Sequence, residues 1–251
     1  MATPKTRLDL LLVQRGLAAS RDRARALIMT GDVLVDDRPV DKPGTRVPDE
    51  AAIRLRGADH PYVGRGGLKL AGALDDLGLD PAGLRCLDVG ASTGGFTDCL
   101  LRRGAAAVVA VDVGTNQLHY RLRTDERVTV FEQTDIRALD PAAAGAPFPL
   151  AVIDVSFISL RLVLPPVIDL LEPGGHIVAM LKPQFEVGRA DVGKGGLVKD
   201  PAVRQRAIDE LIAVATELGL TLRAQADSRV PGAKKGNLEH FLWLQIPVPS
   251  A

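Results

Sequence analysis

From Leu84 onward the chain alternates short apolar runs with helical patterns, and this alternation constrains the fold more than any other feature. The runs are Cys86 to Val89, Val108 to Val111, Val128 to Phe131, Leu150 to Ile153 and Ile177 to Leu181. Apolar segments of strand length with room between them for crossover elements predict a mainly parallel, doubly wound α/β sheet. A long helical stretch from about Ala202 to Leu218 then leads to two more strands, Thr221 to Ala226 and His240 to Ile246. The count is seven, one more than a six-stranded dinucleotide-binding sheet.

The first strand runs directly into Asp88-Val-Gly90-Ala-Ser92-Thr-Gly94-Gly95-Phe96, followed by a helix containing Leu100 and Leu101. Glycines in such a turn let the backbone approach a ligand, and the helix N-terminus supplies free N–H donors. The loop fails as a G-x-G-x-x-G motif, because Ser92 stands where the second glycine admits a pyrophosphate. The second strand ends at Asp112, 22 residues beyond Gly90, where a carboxylate can accept from both hydroxyls of a ribose. Asp135 follows the third strand at the same edge, within reach of an adenine amine. NAD and S-adenosylmethionine both satisfy these requirements. Asp154 and Lys182 each end a buried-looking strand at the carboxyl edge, where core packing explains a polar residue poorly.

Ahead of this unit, two short helices are expected, one between Arg7 and Arg15 and one from the N-cap Ser20 to Gly31. Short strands around Val33 to Val35 and Ile53 to Leu55 follow, with Asp36 to Pro39 read as a turn. Charge is uneven here. Residues 1–31 hold six basic side chains (Lys5, Arg7, Arg15, Arg21, Arg23 and Arg25) against two acidic ones, Asp9 and Asp22, whereas residues 32–60 hold five against seven. Arg21 and Arg25 are four apart and share a helix face. The domain division expected is 1–60, a Gly-rich linker at 61–67, and 68–251.

The stretch RLDLLLVQRGLAASRDRARALIMTGDVLVDDRPV resembles the S-four-type RNA-binding domain. The segments DVGASTGGFTD, VDVGTNQL, DVSFISL, LKPQFEVG and VPGAKKGNLE together resemble the hemolysin-A-type (TlyA) rRNA 2′-O-methyltransferase family, within the FtsJ-like branch. The resemblance spans nearly the whole chain. It implies a seven-stranded Rossmann-like methyltransferase sheet behind a small α+β RNA-binding domain, and ribose methylation of ribosomal RNA with S-adenosylmethionine as cofactor. It carries a catalytic set onto Lys69, Asp154, Lys182 and Glu239; from local sequence alone, Lys69 and Glu239 would be surface charges. The cofactor set expected is Asp88, Gly90, Ser92, Gly94, Phe96, Asp112 and Asp135. RNA contacts are expected from Arg7, Arg15, Arg21 and Arg25, and from two glycine-flanked basic loops carrying Lys194, Lys234 and Lys235. The expected partner is ribosomal RNA or a ribosomal subunit.

Composition bounds the alternatives. With 31 Lys plus Arg against 31 Asp plus Glu the net charge is zero, so nucleic-acid binding must be argued locally. No apolar run approaches the roughly 20 residues that span a bilayer, and no secretory leader is visible, which makes a soluble, cytoplasmic protein the expectation over a membrane-damaging one. Cys86 and Cys99 lack partners at metal-ligand spacing and read as buried thiols, so no metal site is expected. An NAD-dependent oxidoreductase and a non-catalytic ribosome-assembly factor are the other readings, disfavoured by Ser92 and by the intact acids Asp88, Asp112 and Asp154 respectively. Removal of residues 1–60 should weaken RNA binding and flatten its salt dependence, because fewer phosphates are neutralised; unchanged binding and methylation by the truncated protein would give those residues another purpose.

Overall fold

The computed structural model describes residues 4–18, 20–29, 31–55, 60–232 and 237–248. They form two compact units that divide between Arg65 and Gly66.

In the first unit, strand β1 (Lys5–Arg7) leads into helix α1 (Leu8–Gln14), followed by α2 (Arg21–Met29), β2 (Val33–Val35), β3 (Arg38–Pro39), β4 (Arg46–Pro48) and β5 (Ile53–Leu55). β1 pairs with β4, and β2 lies between β3 and β5, all antiparallel. Leu8, Leu11 and Leu12 of α1 pack with Ala24, Leu27 and Ile28 of α2 and with Val33 and Val47. The i, i+3, i+4 spacing of those leucines puts them on one helix face. Gly16 and Gly31, both at positive φ, end the two helices, and Ser20 Oγ accepts from the N–H of Arg23 at 3.1 Å. The expected turn at Asp36 to Pro39 is shorter than the sequence suggests. Asp36 and Asp37 take positive φ and Arg38 already pairs with Val35, as a two-residue hairpin requires.

The second unit contains α3 (Gly66–Leu77), β6 (Arg85–Val89), α4 (Gly95–Arg102), β7 (Ala107–Val111), α5 (Tyr120–Arg123), β8 (Val128–Phe131), α6 (Pro141–Ala144), β9 (Phe148–Ile153), α7 (Leu160–Ile168), β10 (Leu171–Leu181), α8 (Pro183–Glu186), α9 (Pro201–Glu217), β11 (Thr221–Asp227) and β12 (His240–Gln245). One seven-stranded sheet has the order β11-β12-β10-β9-β6-β7-β8. The five strands from β10 to β8 are parallel, and β12 runs antiparallel to both its neighbours. The inner strands β6, β7 and β9 and the second half of β10 are buried on both faces, which is why they read as near-continuous apolar runs, whereas the edge strand β8 stays half-exposed.

The glycine-rich segment expected as a linker through Gly67 is already helical from Gly66. Its glycines serve packing. A Cβ on Gly95, at the start of α4, would lie 2.9 Å from the backbone nitrogen of Gly67, so α3 and α4 cross at backbone contact.

Asp88, on β6, is fully buried, and Thr97 Oγ1 of α4 donates to its Oδ2 at 2.6 Å. Burial pushes this carboxyl up from 3.8 to about 7; the Thr97 bond opposes the shift, and Asp154 and Asp112 add to it. The unfolded chain therefore loses this proton near pH 4 while the folded chain keeps it to about 7. The stability it contributes is complete below pH 4 and is lost as pH rises through 7. Asp88→Asn, neutral throughout, should change the melting temperature little at pH 4 and raise it at pH 8, by the equivalent of a few kcal/mol. Thermal unfolding at both pH values checks this, and a variant less stable at pH 8 than at pH 4 relative to the parent would contradict it.

Candidate active site

Strand order reverses between β6 and β9: the chain builds β6, β7 and β8 to one side and β9 and β10 to the other. A crevice opens at the carboxyl ends of strands at such a point. Here it is a cavity of about 440 Å³ whose walls include Gly90, Ser92, Asp112, Asp135 and Asp154. Gly90 (φ 84°) passes against β9 so closely that a Cβ would lie 2.6 Å from the Asp154 carbonyl oxygen, so only glycine fits.

The turn after β6 is tied to the end of β7 through Asp112. Its Oδ2 accepts from the Ser92 N–H at 2.8 Å and its Oδ1 from the Gly114 N–H at 2.7 Å. Ser92 sits at φ 48°, a conformation glycine would adopt more easily, and this bond to Asp112 helps hold it. Each carboxylate oxygen keeps lone-pair capacity for a ligand hydroxyl. Asp135 caps the turn of helix that follows β8, and the Arg137 guanidinium on both its oxygens holds its carboxyl down at about 2. Any adenine amine would share Asp135 with Arg137.

Three residues of the expected cofactor set do not line the cavity. Asp88 faces Thr97 in the core. Gly94 (φ 93°) is packed beneath Leu118 and Leu122, and Phe96 is buried and stacked on Phe241 with ring centroids 6.3 Å apart. All three pack the turn from behind the cavity. Conversely, Gln117, Thr134, Ser156 and Phe157 line the cavity although they lie outside the site expected from the sequence. Phe157 is 92% exposed at φ 66°, with its ring 5.2 Å from that of Phe185. An exposed aromatic in strained backbone is costly twice over, and the DVSFISL segment that carries it gave the only sequence signal.

The four expected catalytic side chains form two ion pairs. Lys182 Nζ lies 2.5 Å from Asp154 Oδ1 and donates to Ser156 Oγ at 2.9 Å. Lys69 Nζ lies 2.5 Å from Glu239 Oε2, and both residues are buried. Sheet register brings the pairs to the same edge: Leu181 of β10 pairs with His240 of β12, so the next step outward sets Lys182 beside Glu239. Glu239 is held by its neighbours. Its carbonyl accepts from the Ser228 N–H at 2.9 Å, Arg204 Nε donates to the Leu238 carbonyl at 3.0 Å, and buried His240 bonds Asp227 at 2.6 Å. Asn237 accepts from the Val198 N–H at 2.9 Å and donates to the Gly196 carbonyl at 2.7 Å, fastening the glycine loop that displays exposed Lys194.

In the first unit, Arg7, Arg21 and Arg25 converge on buried Asp9. Arg15 instead donates to the carbonyls of Ala51, at 2.6 Å, and Asp49, which ties α1 to the loop before β5. Lys234 and Lys235 lie outside the described residues.

Residues 62–245 match the FtsJ-like methyltransferase family and residues 6–53 the S4 domain. The 16S/23S rRNA (cytidine-2'-O)-methyltransferase TlyA of Mycobacterium tuberculosis is 48% identical over 98% of this chain and 92% of its own length. Hemolysin A of Brachyspira hyodysenteriae is 37% identical over 94% of this chain and 98% of its own length. Among solved structures, a hemolysin-named protein from Streptococcus thermophilus is 40% identical with a TM-score of 0.76, covering 99% of this chain and 91% of that one. With its reversed-order seven-stranded sheet and its cavity at the switch point, the chain belongs to the FtsJ-like methyltransferase family and carries an S4 domain ahead of the catalytic unit.

Proposed function

We propose that this protein methylates the 2′-hydroxyl of a ribose in ribosomal RNA, using S-adenosylmethionine. The observation that carries the reading is the dual position of Asp154, on the wall of the cavity and in an ion pair with Lys182. One carboxylate thereby joins a nucleotide-sized crevice to a lysine suited to holding an acceptor. The 48% identity to a relative named as an rRNA (cytidine-2'-O)-methyltransferase supports the choice of acceptor. The residues present suit the cofactor: Gly90 gives close backbone approach, and Asp112 offers a carboxylate to a ribose.

When bound, S-adenosylmethionine supplies an electrophilic methyl carbon and a good leaving group. The chain's own task is then alignment, since holding reacting atoms about 3 Å apart in line can supply much of the acceleration. An ammonium has three donors. Lys182 directs one to Ser156 and has Asp154 as its ionic partner, which leaves a donor for the ribose 2′-oxygen. Lys182 thus orients the acceptor oxygen, whose proton passes to solvent water after the transition state. The Lys69–Glu239 pair braces the other side of the same edge, and exposed Phe157 offers a face on which a base can stack. The S4 domain supplies RNA affinity through Arg7, Arg21 and Arg25, with Arg15 as a further contact, and Lys194 on the glycine loop of the catalytic unit adds another. Ribosomal RNA as substrate implies a cytoplasmic site of action. No helix among the described residues is long and apolar enough to cross a membrane.

Asp112→Ala should weaken S-adenosylmethionine binding ten- to a hundredfold in calorimetry, the loss of charge-assisted hydrogen bonds worth about 1.5–3 kcal/mol; an unchanged affinity would move the cofactor elsewhere. Lys182→Ala should reduce methylation by at least about a hundredfold while cofactor affinity stays within about twofold, because Lys182 is assigned to the acceptor. Near-normal turnover would remove Lys182 from the mechanism.

A further inference from the structure

The first unit contains a fully buried aspartate, Asp9, at the second position of α1. Its backbone is fixed by an N–H donated to the Pro43 carbonyl at 3.2 Å, and its Oδ1 accepts from the Leu10 N–H at 3.0 Å. Three guanidinium groups from two elements converge on its other oxygen. Arg7 Nη2 lies 2.9 Å from Oδ2, Arg21 Nε 3.0 Å and Arg25 Nε 3.8 Å, while Arg7 Nε also donates to Oδ1 at 3.0 Å. The Arg7 contact, reinforced by Arg21 and opposed by burial, holds the Asp9 carboxyl at about 2, so it is ionised at any ordinary pH.

Three cations crowded into one patch repel each other, and a buried carboxylate behind them removes one charge in three while fixing the positions of the rest. The aspartate is inaccessible, but the arginine side chains are 38%, 48% and 51% exposed, so their outer edges face solvent. Each guanidinium carries five N–H donors in a rigid fork, and Asp9 occupies only two of Arg7's and one of Arg21's by hydrogen bonding. Local stability is a weak reason for this arrangement, since ion pairs with half-exposed arginines contribute little. Preorganisation is a stronger one: arginines already held in place lose less side-chain freedom when they grip an anion.

We propose that Asp9 is a positioning residue for RNA recognition, arraying Arg7, Arg21 and Arg25 as a preformed clamp for consecutive backbone phosphates. This rests on the reading that the S4 domain binds RNA. The expected effect of removing the Asp9 charge is opposite in sign to that of simple electrostatics. Asp9→Asn raises the protein's charge by one, and if only net charge mattered it would bind RNA more tightly and with a steeper salt dependence. If Asp9 positions the arginines, the same change weakens binding.

The experiment measures binding of the full-length protein to unmethylated ribosomal RNA, over a range of salt concentrations, alongside methylation kinetics. Asp9→Asn should weaken binding about five- to twentyfold and reduce the salt slope; KM for RNA should rise in proportion, with kcat and S-adenosylmethionine affinity unchanged. Asp9→Glu should recover part of the loss. A triple variant Arg7→Lys, Arg21→Lys, Arg25→Lys keeps the charge and Asp9 but removes the forks, and should bind as weakly as Asp9→Asn; it decides the question if Asp9→Asn fails to fold. Tighter or equal binding by folded Asp9→Asn, or parental affinity in the lysine variant, overturns the inference. If replacing the three arginines together by alanine leaves RNA binding intact, the fault lies in the RNA-binding reading of this face.

Discussion

The catalytic unit is organised around one close approach, that of Gly90 to the backbone of Asp154. β6 and β9 are adjacent and parallel, and the Asp154 N–H donates to the Val89 carbonyl at 2.9 Å, so the ladder continues to the mouth of the crevice. With no Cβ at Gly90, the turn after β6 can fold back over this edge and reach Asp112, which fastens Ser92 and Gly114. The same contact fixes Asp154, and through it Lys182. The crevice wall and Lys182 are therefore positioned by one backbone contact, and a shift of either strand would displace both.

The strands were legible in the sequence because a parallel sheet buries both faces and leaves runs such as Val108 to Val111 with no polar interruption. β11 and β12, outside the parallel block, are legible as two further strands after the long helix. Helix α3 was missed for a physical reason. Its first residues are glycines, which punctuate linkers more often than helices, and only the crossing with α4 at Gly95 explains them. Position alone makes Asp88 a strand-end acid, and only the three-dimensional contact with Thr97 shows that it faces the core.

Lys69 and Glu239 were legible only by resemblance. Their pairing joins a helix before the first strand of the sheet to the approach of its last strand, and no local pattern encodes a contact across that distance. The same holds for Asn237, whose two hydrogen bonds to the 193–198 loop give it meaning only once β12 is in place. In the sequence Asp9 is merely one negative charge subtracted from a basic segment. Its burial reverses that reading, since a carboxylate hidden beneath three arginines subtracts little from what an approaching anion meets and supplies the geometry instead.

The two units use a common device. In each, a carboxylate anchored by backbone orients a cationic side chain whose remaining donors point outward: Asp154 with Lys182 at the crevice, and Asp9 with its arginines in the S4 domain. The side chains differ as their proposed targets do. A lysine presents a compact charge and few donors, suited to a single oxygen, whereas an arginine presents a planar fork matched to the paired oxygens of a phosphate. Affinity spread over many phosphates tolerates half-exposed, solvent-screened arginines; alignment of one reacting oxygen does not. On the proposed roles, this difference accounts for the low exposure of the lysine side chains and the exposure of the arginine patch, with Lys182 at 11% side-chain exposure against 48% for Arg21.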